Sequence, residues 1–117
     1  MTYRYDSNAD GNPNSIYTFT YDANSNRLIQ SYDTDTETNP APNELYTATY
    51  DVNNNRLSYS EDSDGDGNPN RISTYTYDMN GNRMSYIEDS NADGNPNRTR
   101  LYTYLDSTWV GVFDDVN

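Results

Sequence analysis

A nine-residue phrase, Asp-x-Asn/Asp-x-Asp-Gly-Asn-Pro-Asn, is written three times in this chain, at Asp6–Asn14, Asp62–Asn70 and Asp89–Asn97, with a longer, degenerate copy at Asp33–Asn43. The loop starts Asp6, Asp33, Asp62 and Asp89 are 27, 29 and 27 residues apart. A fixed period in this range marks a stack of short equivalent units, each of which buries little alone and leans on its neighbours. That excludes a conventional domain built around one interior.

Between the loops lies a second recurring phrase. Strand-like segments ending in Tyr-Asp, namely Tyr17–Asp22, Tyr46–Asp51 and Thr74–Asp78, are each followed by an Asn-rich turn and an arginine: Asn24–Arg27, Asn53–Arg56 and Asn80–Arg83. Leu101–Tyr104 begins a fourth copy. Residues alternate with period two, which is the strand signal. Tyr17, Phe19 and Tyr21 share one face and Ile16, Thr18 and Thr20 the other; Leu57, Tyr59 and Glu61 oppose Ser58 and Ser60. Asn, Gly and Ser tolerate positive φ and suit tight hairpins. Asp22-x-Asn24-x-Asn26 and its copies, with one carboxylate each, therefore read as turns.

The expected fold is all-β. It is an antiparallel β-meander of about eight strands, built from tandem hairpin repeats of ~27 residues, with Asn turns at one edge and cation loops at the other. One face should carry Tyr, Phe, Leu and Met, the other Thr, Ser and some Arg. Arg27, Arg56 and Arg83 are expected to line up across strands beside acidic side chains, with an anion site as the weaker alternative. Residues 1–104 form about four repeats. Residues 105–117 break the pattern, and the apolar run containing Trp109, Val110, Val112 and Phe113 is expected either to cap the sheet or to donate a strand to another subunit. Met1 aligns with Leu28, Leu57 and Met84, so the chain starts midway through a unit. Either Met1 is an initiator that fits this position or the chain is a piece of a longer array.

The loops carry the chemistry. Oxygen-bearing side chains at positions 1, 3 and 5 followed by glycine at 6 aim alternate groups at one hard cation. The candidate calcium ligands are Asp6, Asn8, Asp10, Asn12 and Asn14 in the first loop, and Asp62, Asp64, Asp66, Asn68 (through its carbonyl) and Asn70 in the third. The last loop offers Asp89, Asn91, Asp93, Asn95 and Asn97; the degenerate second loop offers Asp33, Asp35 and Glu37. Position 12, which holds a bidentate Glu in helical calcium hands, is Tyr17, Ser73 or Arg100 here. The first five positions are similar to the loops of dockerins and thrombospondin type 3 repeats, without the helix of the one or the cysteines of the other. With two or three carboxylates per loop, affinities of about 10⁻⁴–10⁻³ M are expected, the range of extracellular modules. The same phrase is also good turn chemistry without any ion.

Composition sharpens the need for an ion. Only 32% of the residues are hydrophobic and the net charge is −12, a balance that favours disorder unless the acids are neutralised. Four Ca²⁺ ions, carrying +8 together, would bring the charge to −4; three to four structural ions are expected. An acidic chain repels nucleic acid and anionic membrane surfaces, and no apolar run is long enough to insert as a helix. Seven arginines supply all the positive side-chain charge, and His, Cys and Lys are absent. That removes the usual nucleophile–base pairs, so no enzyme is expected.

Tyr75–Met84, reading Tyr-Thr-Tyr-Asp-Met-Asn-Gly-Asn-Arg-Met, resembles the YD (RHS) repeat of bacterial surface and toxin proteins, with weaker copies at Tyr17–Leu28 and Tyr46–Leu57. The resemblance implies a secreted or surface-attached, non-catalytic bacterial protein made of spiralling strands. About four repeats are too few to close the shell such repeats can build. The leading expectation is a calcium-stabilised structural segment of an extracellular filament, adhesin stalk or surface protein. It would self-associate by sheet stacking or strand addition, or join further repeats of the same protein. A carbohydrate- or protein-binding surface module is the alternative, and a fragment of a repeat shell the second.

Overall fold

The computed structural model describes residues 1–6, 9–34, 41–105 and 108–116. Its strands are Thr2–Tyr5 (β1), Ser15–Tyr21 (β2), Arg27–Asp33 (β3), Glu44–Tyr50 (β4), Arg56–Asp62 (β5), Arg71–Tyr77 (β6), Arg83–Asp89 (β7), Arg98–Leu105 (β8) and Thr108–Val116 (β9). They form one antiparallel sheet in strict sequence order, so the molecule is an all-β meander of nine strands. The ninth strand is the stretch beyond Tyr104, where the sequence pattern breaks.

The sheet is a single open layer. No hydrophobic side chain is buried among the described residues; those that are buried are Asp62, Ser73, Ser85 and Asp89. The radius of gyration is 18.0 Å, against roughly 13 Å for a compact chain of this length. Its accessible surface is 7703 Å², against roughly 6,500 Å² for a compact monomer of the same mass. With no interior, cohesion comes from the ladder and from contacts between side chains of adjacent strands.

Register shows what shares a face. Tyr17 pairs with Tyr32, Tyr46 with Glu61, Tyr59 with Ser73 and Tyr75 with Tyr86, which puts these tyrosines on one side. Their rings meet across strands: Tyr17–Tyr32 stack at 4.4 Å, Tyr75–Tyr86 lie at 5.4 Å and Tyr46–Tyr59 at 6.2 Å. Such cross-strand pairs contribute roughly 0.2–1 kcal/mol each. Ile16, Leu45, Ile72 and Ile87 lie on the other face among Thr and Ser.

The arginines differ from expectation. Each hairpin carries a register shift beside the turn, between Thr20 and Tyr21, Thr49 and Tyr50, and Thr76 and Tyr77. By alternation Arg56 would share a face with Ser58 and Ser60. The bulge re-aims it, as bulges do, so its guanidinium lies 5.2 Å from the Tyr59 ring centre and 5.0 Å from that of Tyr75. Arg83 sits 4.7 Å over Tyr102 in the same way. Arg56 and Arg83 therefore rest on tyrosines of the next repeat, not beside acids, and donate to the hydroxyls of Tyr75 and Tyr102 at 3.0 and 2.9 Å. Tyr50 and Tyr77 return the link by donating to the carbonyls of Arg27 and Arg56. These reciprocal contacts couple each unit to the one before it.

The Asp-x-x-x-Asn segments are hairpin turns, as their single carboxylates suggested. Asp51 Oδ1 accepts the N–H groups of Asn53 and Asn55, and its Oδ2 accepts the Asn55 side-chain amide. Asp22 and Asp78 repeat all three bonds. The residue before the final Asn has positive φ, which Ser25 and Asn54 sustain and Gly81 meets without strain. The Asn side-chain bond leads the causes that hold the Asp22, Asp51 and Asp78 carboxyls below their ordinary range, against some opposing burial. A depressed carboxyl stabilises the fold fully above its unfolded value of about 3.9 and loses that contribution as pH falls through the lower, folded value. Sheet circular dichroism should therefore be flat from neutral pH down to about 4 and be lost below it. In Asp78→Asn the sheet should be weaker at neutral pH and lose less on acidification.

Candidate metal centre

All four loops leave the same edge, opposite the Asn turns. The opening aspartates Asp33, Asp62 and Asp89 sit at strand ends across from Ile16, Leu45 and Ile72. Asp115 of β9 holds the matching place across from Thr99 of β8. The capping or strand-donating segment thus pairs with β8 in the register of the earlier return strands. Its Trp109 and Phe113 remain 57% and 63% exposed.

Position 1 organises the first, third and last loops before any ion is considered. Asp62 is 5% exposed. Its Oδ1 accepts the Gly65 N–H at 2.7 Å and its Oδ2 the Gly67 N–H at 2.9 Å. Asp6 does the same for Ala9 and Gly11, and Asp89 Oδ2 accepts from Gly94 at 2.8 Å. Desolvation works to raise the Asp62 carboxyl, but the glycine N–H bonds and Asp64 outweigh it and the carboxyl is held low. Position 5 closes a smaller turn: Asp10, Asp66 and Asp93 accept the N–H groups of Asn12, Asn68 and Asn95. That last bond is the leading cause of the lowered Asp93 carboxyl.

In the third loop the carboxylates of Asp62, Asp64 and Asp66 converge, each offering one oxygen within 4.8 Å of the others. Calcium–oxygen distances of 2.3–2.6 Å allow ligand oxygens to lie up to about 4.6–5.2 Å apart across one ion, so this donor set fits. The first and last loops carry Asn8 and Asn91 at position 3 and thus two carboxylates each, Asp6 with Asp10 and Asp89 with Asp93. In the last loop Asn91 turns its amide onto Asp93 at 3.1 Å. Asn8, Asp35 and Glu37 lie outside the described residues, and of the second loop's candidates Asp33 alone is described.

The ninth position behaves differently from a simple ligand. Asn70 Oδ1 accepts both the N–H and the hydroxyl of Ser63, at 2.6 and 2.9 Å. Asn97 clamps Ser90 and Asn43 clamps Thr34 with the same pair of bonds. The backbone N–H groups of Asn14, Asn70 and Asn97 meanwhile donate to the carbonyls of Tyr5, Glu61 and Glu88. The Asn70 and Asn97 side-chain oxygens thus staple the loops shut. The alcohol at position 2, seen at Thr34, Ser63 and Ser90, is a loop-closing residue not marked from sequence. Its signal was available: Ser7, Thr34, Ser63 and Ser90 are all small alcohols.

The second and third loops touch. A Cβ on Gly65 would lie 2.5 Å from the Pro42 carbonyl oxygen and 3.0 Å from Asn43 Cα. The third loop is therefore seated on the longer second loop.

Among the described residues, the three carboxylates of the third loop are the group that could hold a hard divalent cation. Compared with known proteins, the chain matches no family model and no curated protein sequence.

Proposed function

We propose that this chain is a calcium-stiffened structural repeat segment of an extracellular or cell-surface bacterial protein, non-catalytic, assembling with further copies or repeats by sheet stacking or strand addition. The observation that carries this reading is the single-layer sheet without a buried hydrophobic residue among those described, together with the three acids that converge in the third loop at one edge. A globular enzyme or small-molecule binder needs an interior to hold its site rigid. Here rigidity comes from units bracketed one to the next, with the third loop's three carboxylates drawn together beside a neighbour's backbone. Bound cations would relieve that repulsion and tie the loop edge into a spine. The unpaired edges of β1 and β9 and two open faces supply surfaces for lateral growth.

Negative-stain electron microscopy and light scattering of the purified protein test this reading. Ordered fibres or sheets are expected with calcium, dispersing when it is chelated. A monodisperse species at every protein concentration, with calcium present, removes the assembly role.

A further inference from the structure

Nineteen carboxylates accompany seven arginines in this chain. Yet the ion pairs among the described residues belong only to Arg71, Arg98 and Arg100. Arg27 and Arg56 stand without one, for a structural reason: Asp22 and Asp51 beside them spend their oxygens inside their own turns. The bulges then carry both arginines onto the tyrosine face. There they line, with Gln30, Tyr46, Tyr50 and Tyr59, a shallow concavity between the first two complete hairpins, a locally basic patch in a chain of net charge −12. No carboxylate lines it directly, although Tyr46 donates its hydroxyl to Glu44 at 2.9 Å. Burial and the Glu61 carboxylate raise the Tyr59 phenol overall, against a smaller opposing pull from Arg27, Arg56 and Arg71, and the Arg56 guanidinium lies 5.2 Å from the ring centre.

We propose that this concavity binds the acidic group of an anionic polysaccharide, a uronate carboxylate or a sulfate ester, gripped by the Arg27 and Arg56 forks with the tyrosine rings against the sugar. Arginine presents planar paired donors that match such oxyanions, and Arg56 is already oriented by Tyr59 and Tyr75. Tyrosines offer flat apolar surface with a polar rim, suited to the mixed faces of a sugar. An acidic peptide fits less well, because mid-sheet backbone groups are all committed to the ladder and a peptide's own N–H and C=O groups would go unpaired. The bracket recurs at Arg83 and Tyr102. Equivalent positions two strands apart are about 9.6 Å from one another, so one polymer meets several brackets and gains by avidity. This goes beyond a structural role and does not depend on calcium occupancy.

The test is calorimetric titration of the full chain, kept in saturating calcium, with oligogalacturonate, with sulfated dextran, with neutral dextran and with polyglutamate. Binding of oligogalacturonate or sulfated dextran is expected, and whichever binds names the acidic group. Arg27→Gln with Arg56→Gln should weaken it by at least about tenfold. Arg4→Gln, on the opposite face, and Asp64→Asn, in the third loop, should not. Should the double variant lose its sheet signal, the unmodified chain still decides: the Arg27 and Arg56 side-chain N–H resonances must be the ones that shift. Unmoved arginine resonances, equal binding of polyglutamate or neutral dextran, loss that follows Asp64, or binding of neither anionic sugar each overturns the proposal.

Discussion

Adding calcium to about 10 mM should raise the melting temperature of this protein by more than about 10 °C over the chelated form. The size follows from mass action: a site with Kd of about 10⁻⁴–10⁻³ M stabilises the folded state by roughly 1.4–2.7 kcal/mol at that concentration, and several sites add. For a sheet without an interior this is a large share of the total, since domains of this size hold only about 5–15 kcal/mol. Within the third loop Asp62 bonds to Gly65 and Gly67 and Asn70 to Ser63, so chelation should soften the loop edge without unfolding its turns. Asp64→Asn isolates the ion from the turn. The first and last loops carry Asn at that position, so the loop should still close, while calcium affinity should fall by about tenfold as one carboxylate leaves. A melting temperature indifferent to calcium would falsify the metal reading and leave the loops as turns alone.

Gly65→Ala should be a highly damaging single methyl, costing about 2–5 kcal/mol and taking the third loop's cation affinity with it. Two terms contribute: a positive φ of 69°, worth about 1–2 kcal/mol against a side chain, and overpacking of about 1–3 kcal/mol where the new carbon would meet the Pro42 carbonyl. The equivalent positions show which term dominates. Ala9 and Ala92 occupy the same loop place with φ of 59° and 53°, so the backbone tolerates a methyl there. Ala92→Gly should accordingly change stability by less than about 1 kcal/mol, the two effects of freeing φ and loosening the unfolded chain opposing each other. Thermal melts of the two variants decide it. Equal, small shifts would show that the third loop does not rest on the second.

The period of 27 to 29 residues, the alternation in segments such as Tyr17–Tyr21 and the single-carboxylate turns specify the meander, its two edges and the tyrosine ladder from sequence alone. These are local properties. A strand's faces follow from period two, and an Asp four residues before an Asn can close its own turn wherever the chain lies. The same locality made the third loop's carboxylates legible, because Asp62, Asp64 and Asp66 are brought together by one short stretch of backbone.

Contacts between units were decided by tertiary structure. Alternation puts Arg56 with the serines, and only the pairing of Tyr50 with Arg56 across a bulge turns it onto the rings of Tyr59 and Tyr75. Ser63 and Asn70 look like spacer and ligand until the loop folds back and joins them. Gly65 reads as turn chemistry, yet its missing side chain makes room for a neighbouring loop lengthened by two residues. In each case the sequence states what a residue can do, while what it touches depends on a partner strand or loop whose register no local pattern encodes.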